Sequence, residues 1–289
     1  MSPLERNKAS AGAKSLRHPP EADGEASSQG GRYRTRALLR GLSLLACFNP
    51  EAPELSLAEC AQRANLDKAT ALRLLTCLVE AGFLIREAER GLYRVGTAVL
   101  PIASAFQEGQ ALVAIAGGLL RELAARTGQT ATLAIRDGAW AVNVFVASSD
   151  RPLRRFAYVG ERFPLHSTSV GKAIAAHLLP SVLHSLLGEG ELARFTSHTI
   201  TTASALAEEL DRIRRSGYAL DDEEAIEGVR CVGAAVRDYS GNPVAAISVA
   251  GATGEFTGEA LEHWIHTVIT TASEISARLG FMGAVSGST

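Results

Sequence analysis

No run of eighteen apolar residues occurs in this 289-residue chain, so no membrane span is expected. The N-terminus is polar and has no apolar h-region; no signal peptide is read, and the expected compartment is the cytoplasm. Cysteine is scarce: four residues, at 47, 60, 77 and 231, with no C-x-x-C pair and no histidine at metal-ligand spacing beside them. Cys47, Cys60 and Cys77 stand among apolar neighbours in a helical segment and are expected to be packed, reduced thiols. Neither a metal nor a cofactor is expected. The seven histidines form no H-E-x-x-H frame and no G-x-S-x-G elbow is present, which weighs against an enzyme. Pairing of Cys231 with a distant histidine is the catalytic alternative that stays open. The frame of a calcium loop is missing, and Gly171-Lys172 lacks the upstream glycine and the following hydroxyl of a phosphate loop.

What the chain does have is apolar residues, at 46%, enough for a sizeable core without covalent staples. Its charge is unevenly spread. Residues 1–31 carry four basic and four acidic groups; residues 32–97 carry ten and seven, net +3; residues 98–289 carry fifteen and twenty, net −5. A mildly basic module on an acidic body fits nucleic-acid contact confined to one end. Residues 1–31 and 283–289 contain almost no large apolar side chains and are expected to be disordered.

Between Arg34 and Val95 the pattern is three helices and a two-stranded wing. The first helix is expected at 34–47, with Leu38, Leu42, Leu45 and Ala46 at helical spacing, and Pro50 to Pro53 breaks it. Ser56 and Glu59 form a capping box for the second helix, and Asp67 is an N-cap for the third. On the third helix Ala71, Leu74, Leu75 and Leu78 share one face, while Ala69, Arg73 and Thr76 point away and Thr70 and Leu72 flank them. A slim, polar outer face opposite an apolar stripe is what a helix needs to approach base edges in the major groove. Gly82 closes that helix. The wing follows, Phe83 to Arg86 and Leu92 to Val95 around a turn at Glu87 to Gly91. Arg86, Arg90 and Arg94 stud it, either to meet phosphates or a minor groove, or as a solvated basic ribbon.

Downstream, helices are expected at about 97–108 and 110–127. A hairpin, 130–136 and 139–147, is centred on Asp137-Gly138, followed by a strand at Leu153 to Tyr158. Three helices come next, at about 169–179, 181–187 and 204–216. A second hairpin, 229–238 and 243–250, and a long helix, 258–279, complete the α+β order.

Two long segments and one short motif resemble the isocitrate-lyase-regulator (IclR) family of bacterial transcription factors. One segment runs from Arg36-Ala37-Leu38 through Asp67-Lys68-Ala69-Thr70-Ala71-Leu72-Arg73-Leu74-Leu75 to Tyr93-Arg94-Val95-Gly96. The other runs from Gly217-Tyr218-Ala219-Leu220-Asp221-Asp222-Glu223-Glu224 through Glu227-Gly228-Val229-Arg230-Cys231 to Arg237-Asp238. The short motif is Leu165-His166-Ser167-Thr168-Ser169-Val170-Gly171-Lys172-Ala173. The resemblance implies a winged helix-turn-helix at 32–96, a linker helix at 97–109 and a GAF-like effector-binding domain at 110–282. It implies a ligand-responsive regulator that binds double-stranded operator DNA, associates as a dimer or tetramer, and senses a small organic or aromatic acid. On this basis Lys68, Ala69, Thr70, Arg73, Arg86, Arg90 and Arg94 are the expected DNA contacts. Ser169, Val170, Asp221, Cys231, Ser248 and Ala250 are the expected effector contacts, and Ala250 stands where relatives that bind small carboxylates often carry a serine.

By chemistry alone, Ser169, Cys231 and Ser248 suit a pocket in which a few small polar groups orient a ligand between apolar walls, for which Val229, Val232, Ile247 and Val249 are available. Each has a plainer reading, Cys231 as a core thiol and Ser248 as a strand residue. Ser169-Val170-Gly171 is expected to open a helix, whose N-terminus suits a carboxylate. The run Asp221 to Glu224 reads, on its residues, as a solvated turn rather than a metal site, because neighbouring carboxylates on a strand face opposite ways. About 190 residues after the wing are more than an architectural DNA protein needs, which favours a sensor.

Overall fold

A computed structural model describes residues 36–108, 111–149, 151, 155–188 and 190–282. The tails expected to be disordered, 1–31 and 283–289, lie outside the described residues. The chain divides into two compact units, Met1–Gln110 and Ala111–Thr289.

The first unit holds helices α1 (Arg36–Leu45), α2 (Leu57–Arg63), α3 (Lys68–Glu80) and α4 (Val99–Glu108) and a small sheet. The sheet has three strands, β1 (Glu54–Ser56), β2 (Leu84–Arg86) and β3 (Leu92–Val95), in the order β1-β3-β2 and antiparallel throughout. The two expected wing strands are β2 and β3, and β1, from before α2, adds a third strand to their sheet. Ser56 ends β1 and at once caps α2: its Oγ accepts from the Glu59 N–H at 3.3 Å, and Glu59 Oε2 accepts from the Ser56 N–H at 2.8 Å. Leu44, Leu55, Cys60, Ala71, Leu75, Leu84 and Tyr93 form the core. Burial of each large side chain among them is worth about 1.5–3 kcal/mol.

One face of α1 lies outside the core, and one expectation fails in this unit. Leu38 and Leu42, with Leu39, are exposed on α1, and Gly41 and Leu44 face inward instead. The helix uses a different arc of its surface for the core, leaving an apolar arc outside. Cys77 is also exposed rather than packed, because it lies on the outward side of α3, away from Ala71 and Leu75.

The second unit is a six-stranded antiparallel sheet with helices on both faces. Helix α5 (Ala111–Thr127) leads into β4 (Thr130–Asp137) and β5 (Trp140–Ala147). Next come β6 (Arg162–Pro164), α6 (Ser169–Ala175), α7 (Pro180–Leu187) and α8 (Ala203–Ser216). Strands β7 (Ala219–Asp222), β8 (Val229–Arg237) and β9 (Pro243–Ala252), a short 3-10 turn and helix α9 (Gly258–Arg278) complete it. The strand order is β6-β5-β4-β9-β8-β7. Asp137 pairs with Trp140, so the hairpin turn is Gly138-Ala139, one residue later than expected, with Gly138 at φ +59°. Of the strand expected at 153–158, residues 155–158 are irregular, and 153–154 lie outside the described residues; the edge strand is β6 instead.

Alternation along the strands sends successive side chains to opposite faces. Leu133, Val232, Ile247 and Val249 pack with Leu120 and Leu123 of α5 and Val268 and Ile275 of α9. Ala134 and Ala246 face the other way, against Val170, Ala173 and Ile174 of α6 and Leu206, Leu210 and Ile213 of α8. Helix α6 comes very close to its surroundings. A Cβ on Gly171 would lie 2.6 Å from the Leu165 carbonyl oxygen, and one on Gly233 of β8 would lie 3.0 Å from the backbone of Ser169. The sheet and the turn before α6 therefore need glycine at both places.

Candidate functional site: a groove-facing helix and an enclosed cavity

On α3 the Asp67 carboxylate accepts from the Thr70 N–H at 2.8 Å, and this bond holds its pKa below the ordinary value. Lys68, Ala69, Leu72, Arg73, Thr76 and Cys77 are exposed, and Thr70 is half-buried. Thr76 spends its hydroxyl on the Leu72 carbonyl at 2.9 Å, so Arg73 and Lys68 are the long polar reach of this face. On the wing Arg86, Arg90 and Arg94 are all exposed. They are not equivalent. Arg86 lies over the Tyr93 ring at 6.0 Å, whereas Arg90 is paired with Glu54 at 3.0 Å and with Glu87 at 3.3 Å. Exposed pairs of that kind are weak and yield to a phosphate.

In the second unit one small cavity, of about 30 Å³, lies on the α6 side of the sheet. It brings together all six expected effector residues, Ser169, Val170, Asp221, Cys231, Ser248 and Ala250. The register explains why. Asp221 pairs with Cys231, Cys231 with Ala250, and Ser248 with Thr132, so these side chains form one row on one face. Of the expected apolar walls only Val229 lines the cavity. Val232, Ile247 and Val249 have the opposite parity and belong to the core under α5 and α9.

Sequence reading missed several lining residues, among them Thr132, Asn143 and Arg155. Thr132 Oγ1 and Ser248 Oγ share a hydrogen bond of 2.9 Å. The Arg155 side chain is 10% exposed and grips Glu161 at 3.1 and 3.2 Å, while Asn143 Nδ2 donates to the same carboxylate at 3.1 Å. Burial opposes the Arg155 cation, but Glu161, Cys231 and Asp221 together offset this and hold its pKa above the ordinary value. Ser169 is fully buried, and its Oγ has no hydrogen-bond partner among the described residues.

The acidic run is not a solvated turn. Asp221 and Glu224 are buried, because Asp221 sits on β7 facing the cavity and Glu224 meets a buried cation. Asp221 Oδ1 accepts from the Glu224 N–H at 2.8 Å. Burial, reinforced by Glu224, pushes the Asp221 pKa up to about 7. Burial also drives the Cys231 thiol well above its usual value, with Asp221 adding to the effect, so the thiol stays protonated. The cation beside Glu224 is Lys172, fully buried, whose Nζ donates to Glu224 and, at 2.6 Å, to the Leu220 carbonyl, with Glu209 at 3.4 Å. A larger depression of about 740 Å³ lies beside Arg121, Phe145 and Ser149 and contains none of the expected effector residues.

The arrangement has the chemistry of a candidate binding site: small polar groups, one buried cation and one buried acid lining one cavity. Comparisons with known proteins bear on both units. Residues 37–88 match the IclR helix-turn-helix domain, and residues 105–277 match the C-terminal domain of the bacterial transcriptional regulator IclR. The chain is 37% identical to the HTH-type transcriptional regulator BhcR of Paracoccus denitrificans, over 83% of this chain and 86% of that protein. It is 31% identical to the transcriptional repressor IclR of Escherichia coli, over 93% and 97% of the two chains. The crystal structure of IclR from Thermotoga maritima superposes with a TM-score of 0.68 at 30% identity, covering 86% of this chain and all of that one.

Proposed function

This chain belongs to the IclR family of DNA-binding transcriptional regulators with a C-terminal effector-binding domain, and from that premise we propose which ligand it senses and how. The effector is a small organic or aromatic acid held in the cavity beside Ser169, Val170, Asp221, Cys231, Ser248 and Ala250. The observation that carries this reading is the Ser169 hydroxyl, buried in the cavity wall without a partner among the described residues. A buried hydroxyl left unmatched costs about 1–3 kcal/mol, which a ligand acceptor recovers. The small volume weighs toward a compact acid. The missing hydroxyl at Ala250 weighs toward a less polar one.

Operator contact falls to Lys68, Ala69, Thr70 and Arg73 on α3, with Arg86, Arg90 and Arg94 on phosphates or in a minor groove. A dimer places two such helices about one helical turn of DNA apart. Ligand that binds one arrangement of the dimer better than another shifts the population toward it, and α4 and α5 are the stretch of chain through which that shift passes. The role is binding without turnover.

Ser248→Leu fills the cavity and tests the reading. A thermal-shift screen of organic and aromatic acids should find ligands that raise the wild-type melting point but not that of Ser248→Leu, with operator binding intact in both. An unaltered ligand response in the variant places the effector elsewhere. Arg73→Ala should weaken operator binding by roughly 1–3 kcal/mol in gel-shift titrations at fixed salt. Unchanged affinity removes Arg73 from the reading face.

A further inference from the structure

Arg155 lies outside every motif that identified the cavity, yet it is a cation in the wall of that cavity. Its five N–H groups can be accounted for one by one. Nη1 donates to Glu161 Oε2 at 3.2 Å and to the Phe156 carbonyl at 3.0 Å, and Nη2 donates to Glu161 Oε1 at 3.1 Å. No acceptor among the described residues takes the Nε–H or the second Nη2–H. In a planar guanidinium these two lie parallel along one edge, the edge that binds a carboxylate in bidentate fashion. The plane itself is steadied by the Phe163 ring, 5.4 Å below it, and by the Glu161 carboxylate, itself held by Asn143. A guanidinium fixed at one end and unsatisfied along the other edge is more than a structural ion pair requires.

The opposite end of the row carries the complementary chemistry. Asp221 stands on β7, at the far edge of the sheet from β6, and uses Oδ1 on the Glu224 and Ala225 N–H groups. Thus one end of the cavity offers paired donors and a positive charge. The other offers an oxygen that accepts from, or once protonated donates to, a hydroxyl or carbonyl.

We propose that Arg155 is the specificity-determining residue of the cavity, taking the carboxylate of a small monocarboxylic acid on its Nε–H and Nη2–H edge. This rests on the reading of the cavity as the effector site. The ligand is selected as an anion, and a neutral isostere of the same shape leaves the guanidinium edge unmatched.

The test is calorimetric titration of the full-length protein with matched pairs: acetate and acetamide, lactate and lactamide, benzoate and benzamide, 3-hydroxybenzoate and its amide. At least one acid should bind the wild type, and its amide should bind at least about tenfold more weakly, the scale of a lost charge-assisted pair. Arg155→Lys should reduce acid affinity. Arg155→Met combined with Glu161→Gln, which removes the ion pair without stranding a charge, should bring acid affinity down to that of the amide. Circular dichroism and operator binding show that each variant is folded. Acid binding that is equal in wild type and double variant, but blocked by Ser248→Leu, overturns the role of Arg155 and leaves the effector site standing. Acid binding that survives Ser248→Leu, or no acid binding to wild type at millimolar concentration, overturns the site and the proposal together.

Discussion

A single carboxyl in the cavity row, Asp221, gives the protein a pH dependence whose sign can be worked out. Its folded pKa is about 7 against an ordinary value of 3.8, raised mainly by burial. Between these values the native state holds a proton that the unfolded chain has released. Stability from this group is therefore full below about pH 4, declines as pH rises toward 7, and changes no further above it. Melting temperatures of wild type and Asp221→Asn, measured from pH 4 to 8, should converge or cross in that window, the wild type losing ground as pH rises. Parallel curves would show that Asp221 titrates as an ordinary carboxyl. Residues of this kind were only half legible in the sequence. Asp221 was reached by resemblance, whereas its burial was not. The role of Lys172 is not legible in the sequence, since its partners Glu209 and Glu224 lie 37 and 52 positions away and only the fold gathers them.

Local grammar fixed most of the elements. The Ser56–Glu59 capping box, the Asp67 cap, the glycine after α3 and both hairpins stand where the residues indicated, within a residue or two. The strands that went unread are β1, β6 and β7, three or four residues each. Such segments are too short to show alternation and exist because a distant strand pairs with them. The helix that closes the cavity illustrates how strictly an element can be constrained. Adding one methyl at Gly171 sets a Cβ 2.6 Å from a backbone oxygen that cannot swing aside. Gly171→Ala should cost on the order of 1–3 kcal/mol in urea denaturation, the usual scale of overpacking. It should also displace Ser169 and Val170 and so weaken ligand binding. A variant with wild-type stability would mean that the Leu165 turn yields readily.

For the molecule as a whole, the informative surface is the apolar one that the first unit leaves uncovered. Leu38, Leu39 and Leu42 on α1, and Leu100, Ile102 and Phe106 on α4, are between 43% and 62% exposed. Isolated exposed leucines need no explanation, but clusters on two helices of one unit fit a self-association surface. Leu38→Glu with Leu42→Glu should lower the mass found by sedimentation equilibrium and weaken operator binding, leaving the effector response in thermal shift unchanged. A mass equal to that of wild type would move the interface elsewhere. The spacing of Leu38 and Leu42 marks a helix, but apolar spacing alone does not say what covers that face.

Every one of the six strands in the larger sheet lends a side chain to the cavity: Phe163, Asn143, Thr132, Ser248 with Ala250, Cys231 and Asp221. On β4, β8 and β9 these positions alternate with residues buried on the reverse face, Ala131, Leu133, Val232, Ile247 and Val249. Substitutions on these three strands therefore change the cavity wall while leaving the core on the reverse face in place. On the proposed reading of the cavity, ligand preference can change while the DNA-contacting unit stays as it is.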